Sequence, residues 1–167
     1  MSKLVIITGS PGTGKERLAR LLAKRFAFDR LDLHQHYGTI SVDYNHRKQC
    51  YDLDLKKLEK LVLQGKKKSV KGLIFDSHIS HLLPKKMVDL CIVLTRSDLK
   101  KMRRRLKARK YSAKKIRENL DAEIFQVCLN EAKENGHKIM GFDADKKPYA
   151  EILNELIPKL RNLRQTS

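Results

Sequence analysis

Short apolar runs alternate along the chain with segments in which apolar residues recur every three or four positions. The runs are β-branched or otherwise apolar and have polar residues on both sides, which predicts strands buried in a sheet. The recurrent spacing predicts helices that pack one face against that sheet. The predicted strands are 3–8, 30–33, 72–76, 89–94 and 137–142, and the predicted helices are 15–26, 52–64, 98–109, 116–135 and 148–163, with Gly65 as the stop of the second helix.

The alternation of five strands with helices predicts the fold class. Parallel strands joined by helical crossovers form sheets that are covered on both faces. A chain of 167 residues is long enough for one core of this kind, and a second independent core is not expected. We therefore expect a single α/β domain over 1–167, a three-layer sandwich with a five-stranded parallel sheet.

Composition and cysteine content limit the class of protein further. Of the residues, 41% are apolar and 34% are charged, as is typical of globular proteins. No stretch approaches 18 consecutive apolar residues, and no apolar leader precedes the first strand. We expect no membrane span and a cytoplasmic location, or a nuclear one in a eukaryote. Cys50, Cys91 and Cys128 are odd in number and far apart, which predicts reduced thiols.

Positive charge is concentrated in one part of the chain. The net charge is +18, and between residues 96 and 117 twelve Lys or Arg stand against Asp98 alone, a local net charge of +11. Such a run is either a solvated helix face or a surface that binds a polyanion such as RNA. The sequence leaves both interpretations open.

The first strand is followed by GSPGTGK, residues 9–15, which has the spacing G-x-x-x-x-G-K of a phosphate-binding loop. Glycines let consecutive N–H groups converge on phosphate oxygens, the next helix offers its positive end, and a lysine reaches the outer phosphates. A dinucleotide-binding fingerprint would require a third glycine where Arg17 stands, so that alternative is excluded. Glu16 stands where the loop usually has a hydroxyl that binds magnesium.

A second candidate constellation follows the third predicted strand. Asp76 and His78 come at its carboxyl end, where ligands gather in open α/β sheets. We expect Asp76 to hold Mg²⁺ through water or to orient an attacking group, although an Asp in this position can also simply cap the next segment. His78 is a candidate base, a candidate hydrogen-bond donor to phosphate, or only a polar packing residue. Zinc binding is not expected, since no cysteine or carboxylate completes a spacing with the four histidines His34, His36, His78 and His81.

Four segments together resemble one known family. They are TGSPGTGK, DSHISHLL, RLKARKYSAKKI and ENLDAEIFQV, in this order and across most of the chain. They resemble the adenylate-kinase-like ATPases of small ribosomal subunit assembly, known in eukaryotes as the coilin-interacting nuclear ATPase and present in archaea. The resemblance implies a nucleoside monophosphate kinase fold, a monophosphate-binding insert at about 32–55, a short lid at about 108–118, and ATP with Mg²⁺ as ligands.

The resemblance also implies roles and partners. ATP would contact the loop from Gly12 to Arg17 and the lid residue Arg109, and the residues concerned in the loop are Gly12, Thr13, Gly14, Lys15, Glu16 and Arg17. Catalysis would use Lys15, Asp76, His78 and Arg109. Implied partners are AMP, a small-subunit ribosomal protein of the platform, and rRNA through residues 96–117.

The chain departs from the family pattern at three places. Glu16 and Arg17 replace Thr-Thr, Lys110 replaces a lid glycine, and the insert reads Asn-His-Arg-Lys at 45–48, where Arg47 is a candidate for the monophosphate. Glu16 would repel a polyphosphate, unless it points away from it or itself holds magnesium.

Two hypotheses about function follow, and they are compatible with each other. In the first, the protein is an adenylate kinase and ATPase. In the second, it is an assembly factor in which the nucleotide acts as a switch and the basic run binds RNA. A small-metabolite kinase of the same fold is a weaker third alternative.

Overall fold

The computed structural model describes residues 2–46 and 50–165, and Arg47 lies outside these residues. The bounds of its regular elements follow the alternation expected from the sequence. The strands are β1 (Leu4–Thr8), β2 (Asp29–Leu31), β3 (Ser41–Asn45), β4 (Cys50–Leu53), β5 (Leu73–Asp76), β6 (Leu90–Thr95) and β7 (Ile139–Asp143). The helices are α1 (Lys15–Phe26), α2 (Tyr37–Ile40), α3 (Leu55–Lys68), α4 (Leu99–Ala108), α5 (Ala113–Ile124), α6 (Val127–Glu134) and α7 (Tyr149–Gln165).

Five strands form one parallel sheet in the order β2-β5-β1-β6-β7. Side chains of β1 alternate between its two faces, because successive residues of a strand point to opposite sides. Val5 and Ile7 pack in the core layer that also contains residues of α1 and α7, whereas Leu4 and Ile6 pack in the layer that contains residues of α3 and α6. The α/β class with a five-stranded parallel sheet is thus confirmed.

The sheet order places β1 between β5 and β6. Because all three strands are parallel, the loop after β1 and the residues after β5 emerge at the same edge of the sheet. Ile7 is in register with Asp76 of β5 and with Ile92 of β6. The phosphate-type loop and the carboxylate of Asp76 are therefore brought together by strand pairing.

Two helix boundaries differ from those expected. Gly65 does not end α3, which continues to Lys68. A Cβ on Gly65 would lie 2.9 Å from the Leu73 side chain, so this glycine permits close packing of helix on strand. The single helix predicted over 116–135 is divided into α5 and α6 at Gln126, which has a left-handed backbone with φ 50°. The break redirects the chain so that Ala132 of α6 is buried against the sheet.

The segment between β2 and α3 has its own structure, which the sequence did not predict. β3 and β4 form an antiparallel pair, and α2 precedes them. Val42 and Tyr44 of β3 are exposed, so the strand lacks the buried alternation from which strands are recognised. The insert at 32–55 and the lid at 108–118 stay predictions as functional units.

None of the helices within 2–46 and 50–165 combines the length and the apolar character that a membrane span requires.

Candidate active site

The loop between β1 and α1 has a backbone that only glycine adopts readily. Gly12 and Gly14 have φ of 87° and 96°. A Cβ on Gly14 would also lie 2.2 Å from the hydroxyl oxygen of Tyr149, so a side chain there is excluded by contact as well as by backbone strain. Helix α1 begins immediately afterwards at Lys15, with no side-chain cap on its first N–H groups. These free N–H groups and the helix dipole form an anion-binding site.

Side chains from three distant elements bind the carbonyl groups of this loop. These contacts hold the carbonyl oxygens of the loop, whereas the Thr13 N–H donates to the Ser10 carbonyl within it. The three contacts are Arg105 Nη1 to the Gly12 oxygen at 3.2 Å, Arg96 Nε to the Thr13 oxygen at 3.0 Å, and the Tyr149 hydroxyl to the Gly14 oxygen at 3.0 Å. None of these three residues was identified from the sequence, since their contacts span 83 to 135 positions.

Arg96 is itself held by a buried carboxylate. The side chain of Glu123 is buried beside the loop and accepts a hydrogen bond from the backbone N–H of Arg96 at 2.6 Å. Burial raises the pKa of Glu123 above its usual range, an effect that this bond partly opposes. The guanidinium of Arg96 also donates to Asp145 Oδ1 at 2.7 Å, which ties the loop to the segment before α7.

Lys15 lies at the base of the loop, and its Nζ donates to the Ser10 carbonyl at 3.1 Å. The pKa of Lys15 is lowered from 10.5 to about 8, chiefly by burial and also by the charge of Arg109, while Cys128 and Asp76 oppose the shift. A phosphate bound beside Lys15 would favour its charged form, because a nearby negative charge raises the pKa of an ammonium group.

Asp76 is paired with an arginine from the neighbouring strand. Arg30 donates from Nε to Asp76 Oδ1 at 2.6 Å and from Nη2 to Oδ2 at 3.0 Å, a bidentate pair. The hydrogen bond to Asp76 raises the pKa of Arg30. Arg30 lies in β2, next to β5, and the pattern of the sequence gave no signal for this contact.

Glu16 points its carboxylate to one side of the cleft. It accepts hydrogen bonds from Arg20 Nη2 at 2.7 Å and Nε at 3.1 Å, one helical turn further along α1. These bonds lower the pKa of Glu16, so the group is a carboxylate at neutral pH. Its negative charge is therefore partly compensated within α1, although the side chain still lines the cleft.

The strand-end carboxylate does not fit direct binding of a magnesium ion, because both oxygens of Asp76 are occupied by Arg30. Arg20 binds one oxygen of Glu16, Oε1. Among the described residues, no group of three His, Cys, Asp or Glu side chains is arranged to hold a metal ion. Direct coordination by Glu16, one of the alternatives raised by the sequence, and contact of Asp76 with Mg²⁺ through water both stay predictions.

His78 lines the cleft beside Lys15. Desolvation in the cleft, together with the positive charges of Lys15 and Lys115, lowers the pKa of His78 to about 4. The imidazole is therefore neutral at pH 7, where it can donate or accept a hydrogen bond but carries no charge. Its backbone carbonyl faces the Cys128 thiol, with a distance of 3.9 Å between oxygen and sulfur.

The far wall of the cleft comes from the end of α4 and from α5. Arg109 follows α4, and Lys110 after it has a left-handed backbone with φ 59°. This conformation explains why a glycine occupies the position in the family pattern. Asn119 of α5 also lines the cleft, and its Nδ2 is buried with no hydrogen-bond partner among the described residues. Asn119 was not identified from the sequence.

These walls enclose a cleft of about 380 Å³ that runs from the loop to the insert. Seven of the residues predicted for the site line it, namely Gly12, Gly14, Lys15, Glu16, Asp76, His78 and Arg109, and His34, Tyr37, Tyr44 and Leu53 line it on the insert side.

The side chains of Thr13 and Arg17, two predicted ATP contacts, are not among those that line the cleft. Thr13 is fully buried and its hydroxyl donates to the Ser10 carbonyl at 2.8 Å. The guanidinium of Arg17 lies 4.9 Å from the ring centre of Tyr149, over its face. The predicted ATP contacts of both residues stay predictions.

A strand, a glycine loop with its lysine and a helix, next to a strand-end carboxylate, define a nucleotide-binding protein of the phosphate-loop class. Comparison with known families agrees, since the family model described as "AAA domain" matches residues 5–126. The matched range includes the loop, Asp76 and Arg109, and the chain belongs to this family.

Individual relatives identify the branch. The adenylate kinase isoenzyme 6 homolog of Schizosaccharomyces pombe is 37% identical over 142 residues, which cover 78% of this chain and 74% of that protein. The protein of the same name from Dictyostelium discoideum is 36% identical over 140 residues, 80% of this chain and 75% of its own. A relative from Methanocaldococcus jannaschii is 31% identical over 163 residues, 96% of this chain and 88% of its own. The chain belongs to this adenylate-kinase-like family, as its motifs predicted, and the prediction of a phosphotransferase is confirmed.

Solved structures share the fold. The YorR protein of Bacillus subtilis in complex with phosphorylated GDP matches with a TM-score of 0.62 and 16% identity, over 99% of both chains. The deoxyadenosine kinase of M. mycoides matches with a TM-score of 0.57 and 14% identity, over 96% of this chain and 100% of its own. At such low identity the similarity concerns the fold alone.

Proposed function

We propose that the protein transfers the terminal phosphoryl group of ATP to AMP, forming two ADP, and transfers it to water more slowly. The observation that carries this proposal is the single cleft, which joins the phosphate loop to the insert and has the lid arginine in its wall. Donor and acceptor nucleotides bound at the two ends would have their phosphates between Lys15 and Asp76. The names of the relatives support the choice of AMP as acceptor.

The chain's own residues act by positioning and by neutralising charge. The loop N–H groups and Lys15 bind the β- and γ-phosphates, and Arg109 closes over the group in transfer. The bond between the γ-phosphorus and the β–γ bridging oxygen breaks, and a new bond forms to a phosphate oxygen of AMP, so that no proton need be lost. His78, neutral at pH 7, supplies a hydrogen bond to the transferred group or to the water that replaces AMP.

ATP enters as its magnesium complex in this proposal, as is usual for kinases. Mg²⁺ would neutralise charge on the phosphates, which carry the ion into the cleft. Asp76 would orient Arg30 and, through water, contact the ion.

The test is ADP production from ATP, with and without AMP. We expect Lys15→Ala to lower kcat/KM at least about a hundredfold, because removal of one charged group that stabilises a transition state typically has such an effect. Lys24→Ala removes an exposed lysine of the same helix and should retain wild-type activity. Equal rates for wild type and Lys15→Ala would contradict the proposal, and a preference for an acceptor other than AMP would indicate a small-metabolite kinase.

Glu16→Thr tests whether the unusual loop residue limits turnover. Because Arg20 already compensates the carboxylate, we expect a change of less than about fivefold in kcat/KM, within the range of one exposed ion pair. A much larger gain in the variant would indicate a protein that binds nucleotide without efficient turnover.

A second function, polyanion binding, is favoured by the surface of α4 and the lid. Nine basic side chains of this segment are exposed, namely Lys100, Lys101, Arg103, Arg104, Lys107, Arg109, Lys110, Lys114 and Arg117. We propose that this basic surface binds rRNA during maturation of the small ribosomal subunit, together with a ribosomal protein of the platform. Binding of an rRNA fragment that is insensitive to salt would contradict a contact with phosphates.

A further inference from the structure

Three carboxylates surround one guanidinium beside the phosphate loop. Arg30 is bound to Asp76 at 2.6 and 3.0 Å, its Nη2 lies 3.9 Å from Glu16 Oε1, and its Nη1 lies 3.8 Å from Asp32 Oδ2. The pair is well shielded, since the side chains of Arg30 and Asp76 are 16% and 6% exposed. In other phosphate-loop proteins a strand-end carboxylate holds the metal ion near the loop. Here the strand-end carboxylate of Asp76 is bound instead by a cation of the chain itself, the guanidinium of Arg30.

We propose that Arg30 takes the place of a Mg²⁺ ion bound directly by the protein, so that nucleotide binding depends little on Mg²⁺, whereas the transfer step still uses the ion that ATP carries. The inference rests on the proposed function in one respect, namely that the cleft binds a nucleotide. It goes further by assigning to Arg30 a contact with the phosphates that the sequence motifs did not contain.

Entry of a metal ion at Asp76 would require Arg30 to leave. A bidentate pair between charged groups is stronger than a neutral hydrogen bond, and a buried guanidinium that loses its carboxylate is strongly disfavoured. The guanidinium also stays protonated at all physiological pH values. The competition between Arg30 and Mg²⁺ at Asp76 therefore favours Arg30.

Arg30 retains donors for a ligand. Its Nη1 makes no hydrogen bond shorter than 3.5 Å among the described residues, since Asp32 Oδ2 is 3.8 Å away. The side chain also forms part of the cleft wall. Guanidinium N–H groups match phosphate oxygens in geometry and charge. Arg30 can thus bind Asp76 with one edge and a phosphate with the other.

Glu16 fits the same arrangement. At this position a hydroxyl would coordinate magnesium, whereas the Glu16 carboxylate is held by Arg20 and faces Arg30. The site then lacks the hydroxyl that would bind a metal ion and has the guanidinium of Arg30 nearby. Both features fit a site in which a side chain, and not a metal ion, supplies the positive charge.

The test is the affinity for a non-hydrolysable ATP analogue, measured by calorimetry in excess EDTA and in excess MgCl₂. For the wild type we expect the two Kd values to agree within about threefold, a small difference in free energy. Arg30→Met removes the cation from Asp76 and Asp32 and leaves Glu16 paired only with Arg20, so its Kd in EDTA should rise at least about tenfold and Mg²⁺ should restore much of the affinity. Arg25→Met, which removes an exposed arginine of α1, should behave as the wild type.

A second measurement does not depend on nucleotide. In the electron paramagnetic resonance spectrum of Mn²⁺, the nucleotide-free wild type should leave the ion unbound, and Arg30→Met should bind it at the freed carboxylates. Arg30→Lys, which keeps a charge beside Asp76 and so protects the fold, should give an intermediate dependence on Mg²⁺, because an ammonium group cannot bind both oxygens in the same way.

The outcomes separate the two proposals. Wild-type binding that requires Mg²⁺, or Mn²⁺ bound by the nucleotide-free wild type, would overturn the role of Arg30 while the nucleotide site remained. No binding of the analogue in either buffer would overturn the nucleotide site and the role of Arg30 with it.

Discussion

At the scale of single residues, the ionisation of Lys15 makes nucleotide binding depend on pH. Its pKa is lowered to about 8 by burial, and only the ammonium form attracts phosphate. Between pH 7 and pH 9 we expect the Kd for a nucleotide to rise by up to about tenfold, as most of the nucleotide-free protein loses this proton. Calorimetry at the two pH values measures the change. Lys15→Arg stays charged over the whole range, so a similar rise in that variant would contradict the assignment.

The same lowered pKa has a consequence for stability. Between about pH 8 and the unfolded value of 10.5, the unfolded chain binds more protons at Lys15 than the folded chain. The contribution of this group to the free energy of unfolding therefore rises with pH in that window. Below pH 8 the cost of the buried charge is fully present, and a bound phosphate relieves it.

Asn119 provides a second prediction for a single residue. Its buried Nδ2 lacks a partner among the described residues, which typically costs about 1–3 kcal/mol, and it lies in the wall of the cleft where it can donate to a nucleotide. We expect Asn119→Ala to weaken nucleotide binding without lowering the melting temperature of the nucleotide-free protein. Asn154→Ala, at an exposed position of α7, should change neither quantity. A loss of stability with unchanged affinity would show that Asn119 is only structural.

At the scale of elements, the predicted lid at 108–118 contains a strained position. Lys110 has φ 59°, a conformation that costs a residue with a side chain roughly 1–2 kcal/mol and glycine little. We expect Lys110→Gly to raise the melting temperature by about 2–4 °C, which thermal unfolding would measure. Lys107→Gly removes the same charge from within α4 and should instead destabilise by about 1 kcal/mol. Changes of equal sign in the two variants would contradict the strain at Lys110.

The elements that sequence could and could not predict differ in where their information lies. The strands of the sheet and the phosphate loop follow from local patterns, because burial on both faces and glycine spacing are written in consecutive residues. The division of α5 from α6 depends on Gln126 alone, a residue with no turn preference. The antiparallel pair of β3 and β4 has exposed apolar residues. Gly65 allows α3 to pack closely against Leu73. Both depend on contacts that a local pattern does not contain.

For the candidate site, local sequence patterns predict even less than they do for the fold. Lys15, Asp76, His78 and Arg109 were predicted from motifs and line one cleft. Arg30 and Asn119 were missed, because their roles arise from strand pairing and from burial. A pair such as Arg30 with Asp76, 46 positions apart, is defined only by the folded chain.

At the scale of the whole molecule, the net charge of +18 is distributed unevenly. We therefore expect salt-dependent binding of RNA to be confined to the basic surface of α4 and the predicted lid. We expect neutralisation of Lys100, Arg103 and Lys107 to Gln to weaken binding to an rRNA fragment and to reduce the slope of log K against log salt by about 2–3. The control neutralises Lys67, Lys68 and Lys71, exposed residues at and after the end of α3. Equal effects of the two triple variants, measured by titration at several salt concentrations, would indicate attraction to the net charge rather than to the basic surface.

Tyr149, the first residue of α7, donates a hydrogen bond from its hydroxyl to the carbonyl of Gly14 in the phosphate loop, 135 positions earlier. Arg96, which binds the Thr13 carbonyl, is also paired with Asp145 just before the same helix. The start of α7 and the phosphate loop are therefore joined by two independent contacts, and a substitution of Tyr149 would remove one of them without altering a residue that lines the cleft.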